Sequence, residues 1–409
     1  MPTVTQETAA LHARRARRRR LAVLVARTGL GLLVPLAVAG VLAHGAPARQ
    51  RAVARPRSRP VAPRPSPNLA PGSDPSALPG DVLIADEGND RLLLVSRTGQ
   101  VVWQFPPPGA SARLASPDDA FFARGGRSII VTEEAAQVVS LLDVRQRRLT
   151  WRYGRLGDSG AGPNRLSNPD DAMVLPGNHV LIADIRNCSL LLTRIGAHTP
   201  LERLGAADRG CLHAPPLRFG SPNGAFPLPR GEELVTEING DWVDALDLAG
   251  RVRWSTHPPG VSYPSDTNEV APGRYVTADY STPGQVVEFD RHGNLLWRYG
   301  PRSGPGMLRN PSLCEPVPSS GDFLCNDDGN DRVVVIDPRS NRIVWQYGHD
   351  GVPGRRPGYL DEPDGVDLAP PYSLLEREAS WLPTPTLRCA PGLPPGACTI
   401  FAPANGAHR

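Results

Sequence analysis

A proline-led motif recurs six times in this chain, and its spacing restricts the fold more than any other feature. Each copy places a proline next to short polar residues, as in SPDD and NPDD, and successive copies lie about 42 to 53 residues apart. The six prolines are Pro117, Pro169, Pro222, Pro264, Pro311 and Pro363. A period of this length predicts a repeat architecture, in which each copy folds as one unit.

Each of the first five copies is followed by the pattern of three more strands. A Gly-containing turn leads to a β-forming run that ends in an acidic residue, such as IIVTE or VLIAD. A third run follows and, after a polar turn, a fourth. The 46 Pro and 41 Gly residues are typical of short strands joined by turns. Four antiparallel strands per unit, repeated radially, form a β-propeller.

Two nearly identical stretches indicate how many units the chain contains. DEGNDRLLLV begins at Asp86 and DDGNDRVVVI at Asp327. The first unit, which starts near Asp81, lacks an opening strand, whereas the last proline motif supplies only that strand, Gly365–Ala369. We therefore predict an all-β, six-bladed β-propeller over residues 80–371, closed by pairing of the C-terminal strand with the N-terminal blade.

These stretches also carry a family resemblance. IADEGNDRLLLV and CNDDGNDRVVVI, together with NPDDAMVLPGNHVLIAD, resemble NHL-type propeller repeats of membrane-anchored bacterial proteins. TGQVVWQF and HGNLLWRYG are similar to the outer strand of quinoprotein repeats, which bind pyrroloquinoline quinone (PQQ). The resemblance implies the fold but no single function, because this architecture hosts lyases, hydrolases, receptors and scaffolds. Quinone enzymes normally have more than six blades, which argues against PQQ. The amidating-lyase branch uses a His-bound metal, for which no matching ligands can be assigned.

The N-terminal region has the pattern of a membrane protein. Residues 1–20 are basic, with RRARRRR at Arg14–Arg20, and precede the apolar run Leu21–Ala43. This pattern predicts a cytoplasmic N-terminus and a transmembrane helix over residues 21–44 that anchors the chain in the membrane. The alternative is a signal sequence, because small residues suited to a signal peptidase follow the apolar run.

The remaining segments and the cysteines indicate the compartment. Residues 45–79 are rich in Pro and Arg and predict an extended linker, and residues 372–409 form a Pro-rich C-terminal tail. The six cysteines suggest the disulfide pairs Cys188–Cys211, Cys314–Cys325 and Cys389–Cys398, with free buried thiols as the alternative. Disulfides form outside the cytoplasm. We therefore predict a single-pass protein of the cell membrane with an extracytoplasmic propeller, or a secreted propeller if the N-terminal segment is cleaved.

Polar side chains follow the opening prolines, where the inner strands converge on the central channel. The candidate ligand-binding residues are Asp118, Asp119, Asp170, Asp171, Asn223, Asp266, Asn268, Glu269, Glu315, Asp364 and Asp367. Oxygens from separate blades suit a hard cation such as Ca²⁺, and we single out Asp119, Asp171 and Asp266 as its ligands. Strand alternation lets only about half of these residues face the channel. Alternatively, each Pro-Asp-Asp motif shapes an Asx-type turn and binds backbone N–H groups.

Other recurring residues predict structural roles. Asp86 with Arg91, and Asp327 with Arg332, suit pairs across a turn. Aromatic side chains that recur once per blade predict packing between blades. These outer-strand residues are Trp103, Trp151, Trp254, Trp297 and Trp345, and Glu202 replaces the tryptophan expected in the third unit.

The histidines and the net charge also indicate which functions are favoured. His213, His257 and His349 follow fourth strands on the acidic side, where a His–carboxylate pair can form. The histidines show no cluster with a Ser or Cys nucleophile, which favours binding over catalysis. The net charge of +4 gives no nucleic-acid signature.

The leading hypothesis is a membrane-tethered propeller that binds a small molecule or a cell-envelope protein through its acidic channel mouth. A Ca²⁺-type hydrolase or lyase using the same carboxylates, and an assembly module of the envelope, are the alternatives.

Overall fold

The chain folds into six four-stranded antiparallel sheets. The computed structural model describes residues 66–111, 113–206, 210–228, 231–247 and 250–381. Blades 1 to 3 contain β1 (Val82–Asp86), β2 (Arg91–Val95) and β3 (Val101–Phe105); β4 (Ala120–Ala123), β5 (Ser128–Glu133), β6 (Val138–Asp143) and β7 (Arg148–Gly154); β8 (Pro169–Leu175), β9 (His179–Asp184), β10 (Ser189–Arg194) and β11 (Glu202–Gly205). Blades 4 to 6 contain β12 (Pro222–Pro227), β13 (Glu233–Glu237), β14 (Trp242–Leu246) and β15 (Val252–Thr256); β16 (Pro264–Ala271), β17 (Arg274–Asp279), β18 (Gln285–Asp290) and β19 (Leu295–Tyr299); β20 (Cys314–Pro316), β21 (Phe323–Asp327), β22 (Arg332–Asp337) and β23 (Arg342–Gly348).

The last strand, β24 (Pro363–Leu368), completes blade 1 and confirms the predicted closure. It pairs antiparallel with β1, with Leu368 opposite Val82 and Asp367 opposite Leu83. The six-bladed propeller predicted from the repeat is therefore correct. Because the inner strand of blade 1 comes from the C-terminal end of the ring, the first and last blades are held together by backbone hydrogen bonds.

The D-x-G-N-D-R stretches form tight turns between the second and third strands of blades 1 and 6. Asp90 and Asp331 adopt the left-handed conformation, with φ of 53° and 55°, which Asp tolerates better than most residues. Each turn is fastened by a buried ion pair, Arg91 Nε to Asp86 Oδ2 at 2.5 Å in blade 1, and Arg332 Nε to Asp327 Oδ2 at 2.7 Å in blade 6. The predicted Asp–Arg pairs are confirmed, and the repeated motif has a structural role.

The outer-strand tryptophans join neighbouring blades, as predicted. Three of them donate an indole hydrogen bond to a carbonyl between the third and fourth strands of the next blade. These bonds run from Trp345 to Arg97, from Trp103 to Val144 and from Trp151 to Ala197, at 2.9, 3.1 and 3.1 Å. Trp254 and Trp297 instead pack against an aromatic ring of the next blade, 4.9 Å from Tyr275 and 5.0 Å from Phe323 between centroids.

Two predicted disulfides are present. Cys314 and Cys325 lie opposite each other on β20 and β21, and their sulfur atoms are bonded. The Cys188–Cys211 bond ties the turn before β10 to the loop that follows β11. This second bond lies in blade 3, where buried Glu202 stands in place of tryptophan. Cys389 and Cys398 fall outside the described residues.

Segments on either side of the ring pack against it. Residues 69–74, which the sequence analysis placed in the linker, run beside the outer strand β23: Ala70 N donates to Gln346 O at 3.1 Å and Asp74 N to Val344 O at 2.8 Å. Beyond β24, helix α1 (Leu374–Trp381) contacts β4, β8 and β12 and buries Leu375.

The predicted membrane anchor, residues 21–44, lies outside the described residues. Within the part of the chain that the structure describes, none of the helices has the length and apolar character needed to span a membrane.

Candidate metal centre in the central channel

The inner strands begin with irregular pairing that brings consecutive acidic residues to the same place. In β8 the register with β9 shifts between Pro169 and Ala172, so Asp170 and Asp171 both lie at a β-bulge. The same shift follows Pro222 and Pro264, and it occurs at the start of β24. A bulge places two residues opposite one and re-aims their side chains. Consecutive residues at these positions therefore do not follow simple strand alternation, and six of the eleven predicted residues meet in carboxylate triads.

Seven carboxylates form a continuous buried cluster, which we call the acidic chain. It consists of Glu87, Asp118, Asp119, Asp170, Asp171, Asp266 and Asp364. They form three triads in which one ligand oxygen per residue lies within 4.8 Å of the others, and the triads share Asp118 and Asp119. One triad is Asp119, Asp171 and Asp266, the set singled out from the sequence. These three come from blades 2, 3 and 5, so the propeller fold alone brings them together.

Glu87 is a member that the sequence analysis missed. It belongs to the turn after β1, and a triad joins it to Asp118 and Asp364. The signal was present in the D-E-G-N-D motif, whose second acidic residue is buried here. Glu87 was missed because the motif was interpreted only as a turn, whereas its Glu side chain reaches the inner strands of blades 1 and 2.

The Asp119–Asp171–Asp266 triad has oxygens that the protein does not satisfy. Among the described residues, Asp119 Oδ1, Asp171 Oδ1 and both Asp266 oxygens are buried and accept no hydrogen bond. Gly224 provides the room for them, because a Cβ there would lie 2.8 Å from Asp266 Oδ1 and 3.2 Å from Thr236 Oγ1. The Thr236 hydroxyl is also without a bond. Unsatisfied buried oxygens around one point are the donor set that Ca²⁺ prefers.

The electrostatics of the acidic chain disfavour full ionisation. Burial raises the pKa of Asp119 and Asp171 well above the usual range, and the neighbouring Asp266 carboxylate raises both further. Burial also raises the pKa of Asp266, to about 7. The pKa values of Asp118 and Asp170 are raised by burial and by nearby carboxylates. The cluster must therefore hold protons or take up positive charge.

Several other predicted site residues connect adjacent inner strands instead. Asp367 Oδ2 accepts from Phe122 N at 2.8 Å, and Glu315 Oε1 accepts from Leu368 N at 3.0 Å. Within the acidic chain, Asp171 Oδ2 also accepts from Ala225 N, at 3.2 Å. The predicted alternative, carboxylates that bind backbone N–H groups, thus describes Asp367 and Glu315 and part of Asp171.

The predicted amide residues and Glu269 have similar local partners. Asn223 donates to Ser265 Oγ at 3.0 Å and Asn268 to Cys314 O at 3.1 Å, each bond reaching the next blade. Glu269 accepts from Gly273 N at 3.1 Å in the β16–β17 turn. Neither Asn268 nor Glu269 belongs to the carboxylate triads.

Apolar side chains pack together beyond the acidic chain. Phe121 of blade 2 and Phe226 of blade 4 meet edge to face, with ring centroids 5.7 Å apart. Met173 and Leu375 belong to the same apolar cluster. Glu376 of α1 accepts hydrogen bonds from the β4–β5 turn, which fixes the helix at the end opposite the acidic chain. This apolar cluster and α1 therefore lie beyond the acidic chain, away from the start of the inner strands.

Comparisons with known proteins assign no family to this chain. No protein-family model matches the sequence, and no curated protein matches it. Among solved structures, a protein of unknown function from Bacteroides caccae is 16% identical, with 70% of this chain and 98% of that chain covered and a TM-score of 0.49. A chain of a nidogen/laminin complex is 12% identical (71% and 98% covered, TM-score 0.49), and a streptogramin B lyase is 14% identical (71% and 87% covered, TM-score 0.47). The propeller assignment rests on the strand order itself.

Proposed function

We propose that this protein is a membrane-tethered, extracytoplasmic binding module whose acidic chain holds a Ca²⁺-type cation and, with it, a ligand. The β-propeller architecture hosts receptors and scaffolds as well as enzymes, so the fold accommodates a binding role. Residues 21–44 would supply the tether, and the two disulfides support a compartment outside the cytoplasm. The partner is a cell-envelope protein or a small molecule that reaches the cation from the acidic end.

The unsatisfied triad Asp119, Asp171 and Asp266 carries this proposal. Buried carboxylate oxygens without a hydrogen bond are costly, and here four such oxygens, from three carboxylates of different blades, converge. A hard divalent cation removes both the repulsion and the unsatisfied oxygens. Three protein ligands leave coordination positions of the cation for water or for the oxygen atoms of a ligand.

Calcium titration of the full-length chain in detergent tests the cation site. Wild type, stripped with chelator, should bind Ca²⁺ and unfold at a higher temperature when Ca²⁺ is present. The Asp119→Asn/Asp171→Asn/Asp266→Asn variant should bind Ca²⁺ at least about tenfold more weakly, because amides lack the charge that holds the ion. In chelator it should be no less stable than wild type, since it removes like-charge repulsion. Asp290→Asn, at the end of β18, is the matched control and should bind Ca²⁺ like wild type.

Capture of a partner tests the binding role. Wild type, cross-linked to envelope fractions or mixed with envelope extracts, should retain a component in Ca²⁺ that the triple variant does not. Equal Ca²⁺ affinity in wild type and the triple variant would refute the metal centre. Equal capture by both proteins would refute the acidic chain as the binding surface.

A further inference from the structure

Most blades neutralise the acidic residue at the end of the second strand with an arginine. The carboxylate lies at the same register position in every sheet, and it is buried. The pairs are Asp86–Arg91 at 2.5 Å, Glu133–Arg152 at 3.3 Å, Asp184–Arg203 at 2.9 Å and Asp327–Arg332 at 2.7 Å. A buried charge normally has such a partner, because an isolated one is strongly destabilising. In these four blades the site is balanced by a cation of the protein itself.

Blade 4 departs from this arrangement by two substitutions at matched positions. In blade 2, Ser140 pairs in register with Arg152, and both bond Glu133. The corresponding register pair in blade 4 is Asp244 with Ser255, next to Glu237. The serine has become an aspartate and the arginine a serine. Relative to blade 2, the site has lost one positive charge and gained one negative charge.

His213, in the loop before β12, lies beside Glu237 and Asp244, where blade 2 has its arginine. His213 Nδ1 lies 3.1 Å from Glu237 Oε2 and 3.6 Å from Asp244 Oδ2. One ligand atom from each of the three residues lies within 4.8 Å of the others. Both carboxylates are fully buried, and Glu237 Oε1 and Asp244 Oδ2 accept no hydrogen bond from the described residues. Two adjacent buried carboxylates in this state either share a proton or hold a cation between them.

The imidazole is held in position by stacking. Trp242, the first residue of β14, lies 4.1 Å from the His213 ring between centroids, with an interplanar angle of 12°. His257 packs against the same indole at 3.7 Å and is itself fixed by its ring Nδ1, 2.9 Å from Asp241 O. This His–Trp–His stack orients His213 toward the two carboxylates, and the partly exposed imidazole gives an ion access from solvent.

We propose that His213, Glu237 and Asp244 bind a borderline divalent metal ion of the Zn²⁺ class. One imidazole nitrogen and two carboxylate oxygens are a donor set that Zn²⁺ accepts, whereas the all-oxygen acidic chain suits Ca²⁺. The ion takes the place of the arginine that blade 2 uses. With three protein ligands, at least one coordination position remains for water or for a donor atom of a bound molecule. This site is separate from the acidic chain and does not depend on it.

The test compares Zn²⁺ binding by the full-length chain, in excess Ca²⁺, between wild type and variants, with Co²⁺ absorption as a second readout. Wild type should bind one more Zn²⁺ than Asp244→Ser/Ser255→Arg, which restores the residues of blade 2. His213→Gln should weaken Zn²⁺ binding by about tenfold or more. Wild type with bound Co²⁺ should show a visible absorption band that both variants lack.

The blade-2 replacement also controls for folding. In chelator it should unfold at or above the wild-type temperature, because its arginine neutralises Glu237 without a metal. His213→Gln changes a loop residue and provides a second test if the double variant does not fold. The proposal would be overturned if wild type bound no Zn²⁺, or if either variant bound Zn²⁺ with the same stoichiometry and affinity as wild type. Glu237 and Asp244 would then share a proton instead.

Discussion

The buried carboxylates of this propeller have different structural roles, which depend on the groups around them. Asp86 is buried against Arg91 and fastens a turn. Asp367 is equally buried, but it accepts backbone and hydroxyl hydrogen bonds and connects two blades. Asp266 has neither kind of partner. Burial raises the pKa of all three, and least for Asp86, where Arg91 opposes the rise, so the three should contribute differently to the pH dependence of stability.

Asp367→Asn should stabilise the protein above neutral pH. Burial raises the pKa of Asp367 to about 8, against about 3.9 in an unfolded chain. Between these values the folded protein keeps a proton that the unfolded chain loses, so this residue's contribution to stability falls as pH rises from 4 to 8. Asparagine keeps the carbonyl acceptor for Phe122 N and has no proton to lose. We expect a gain in the free energy of unfolding on the order of 2–5 kcal/mol at pH 8, measured by urea denaturation.

The matched control for Asp367 is Asp337→Asn. A hydrogen bond from Arg339 lowers the pKa of Asp337 to about 2, so the native carboxylate contributes a little stability above pH 4. Its replacement should give a small loss that is absent near pH 2. If Asp367→Asn showed the same gain at pH 4 and pH 8, the buried proton on Asp367 would be excluded.

At the scale of the strand, the fourth strands hold neighbouring blades together through their tryptophans. Trp345→Phe removes the bond to Arg97 O and leaves a cavity at a fully buried site, so it should lower the free energy of unfolding by about 2 kcal/mol. Trp297→Phe should cost less than about 1 kcal/mol, since the Trp297 indole N–H has no acceptor among the described residues and the ring is partly exposed. Chemical denaturation of both variants checks this, and equal losses would contradict a hydrogen-bonding role.

The strands were predictable from sequence because their signals are local. Four β-forming runs per period, with Gly and Asp at the turns, predict the sheets, and the leftover Pro363 strand predicts the closure. The acidic chain was predictable only in part. Bulges after Pro169, Pro222 and Pro264 are not encoded by alternation, and they decide which side chains converge.

Contacts between distant segments were not predictable. The approach of His213 to Glu237 and Asp244 depends on the path of a loop between two blades, and sequence suggested only that a histidine could pair with some carboxylate on that side. The helix Leu374–Trp381 lies in a tail that was predicted only as Pro-rich. Such contacts follow from the assembled ring, whereas strand and turn signals act within a few residues.

At the scale of the whole molecule, two C-terminal elements have separable roles. Strand β24 completes blade 1 by pairing with β1, and α1 covers the channel end opposite the acidic chain. Loss of α1 exposes Leu374 and Leu375 but leaves every sheet with four strands. Loss of β24 also leaves the backbone groups of β1 unpaired along one edge, and an unpaired central edge is a site of aggregation.

Two truncated chains separate these roles. In detergent, a stop after Pro371 removes α1 and should give a monomer that unfolds at a lower temperature, because two buried leucines contribute about 1.5–3 kcal/mol each. A stop after Glu362 also removes β24 and should give aggregated protein, because the ring can no longer close. Both lack residues 382–409 equally, so that segment cannot explain a difference between them. Size-exclusion chromatography and thermal unfolding are the measurements. A monomeric protein of equal stability from the shorter chain would show that the ring holds together through blade packing without its closing strand.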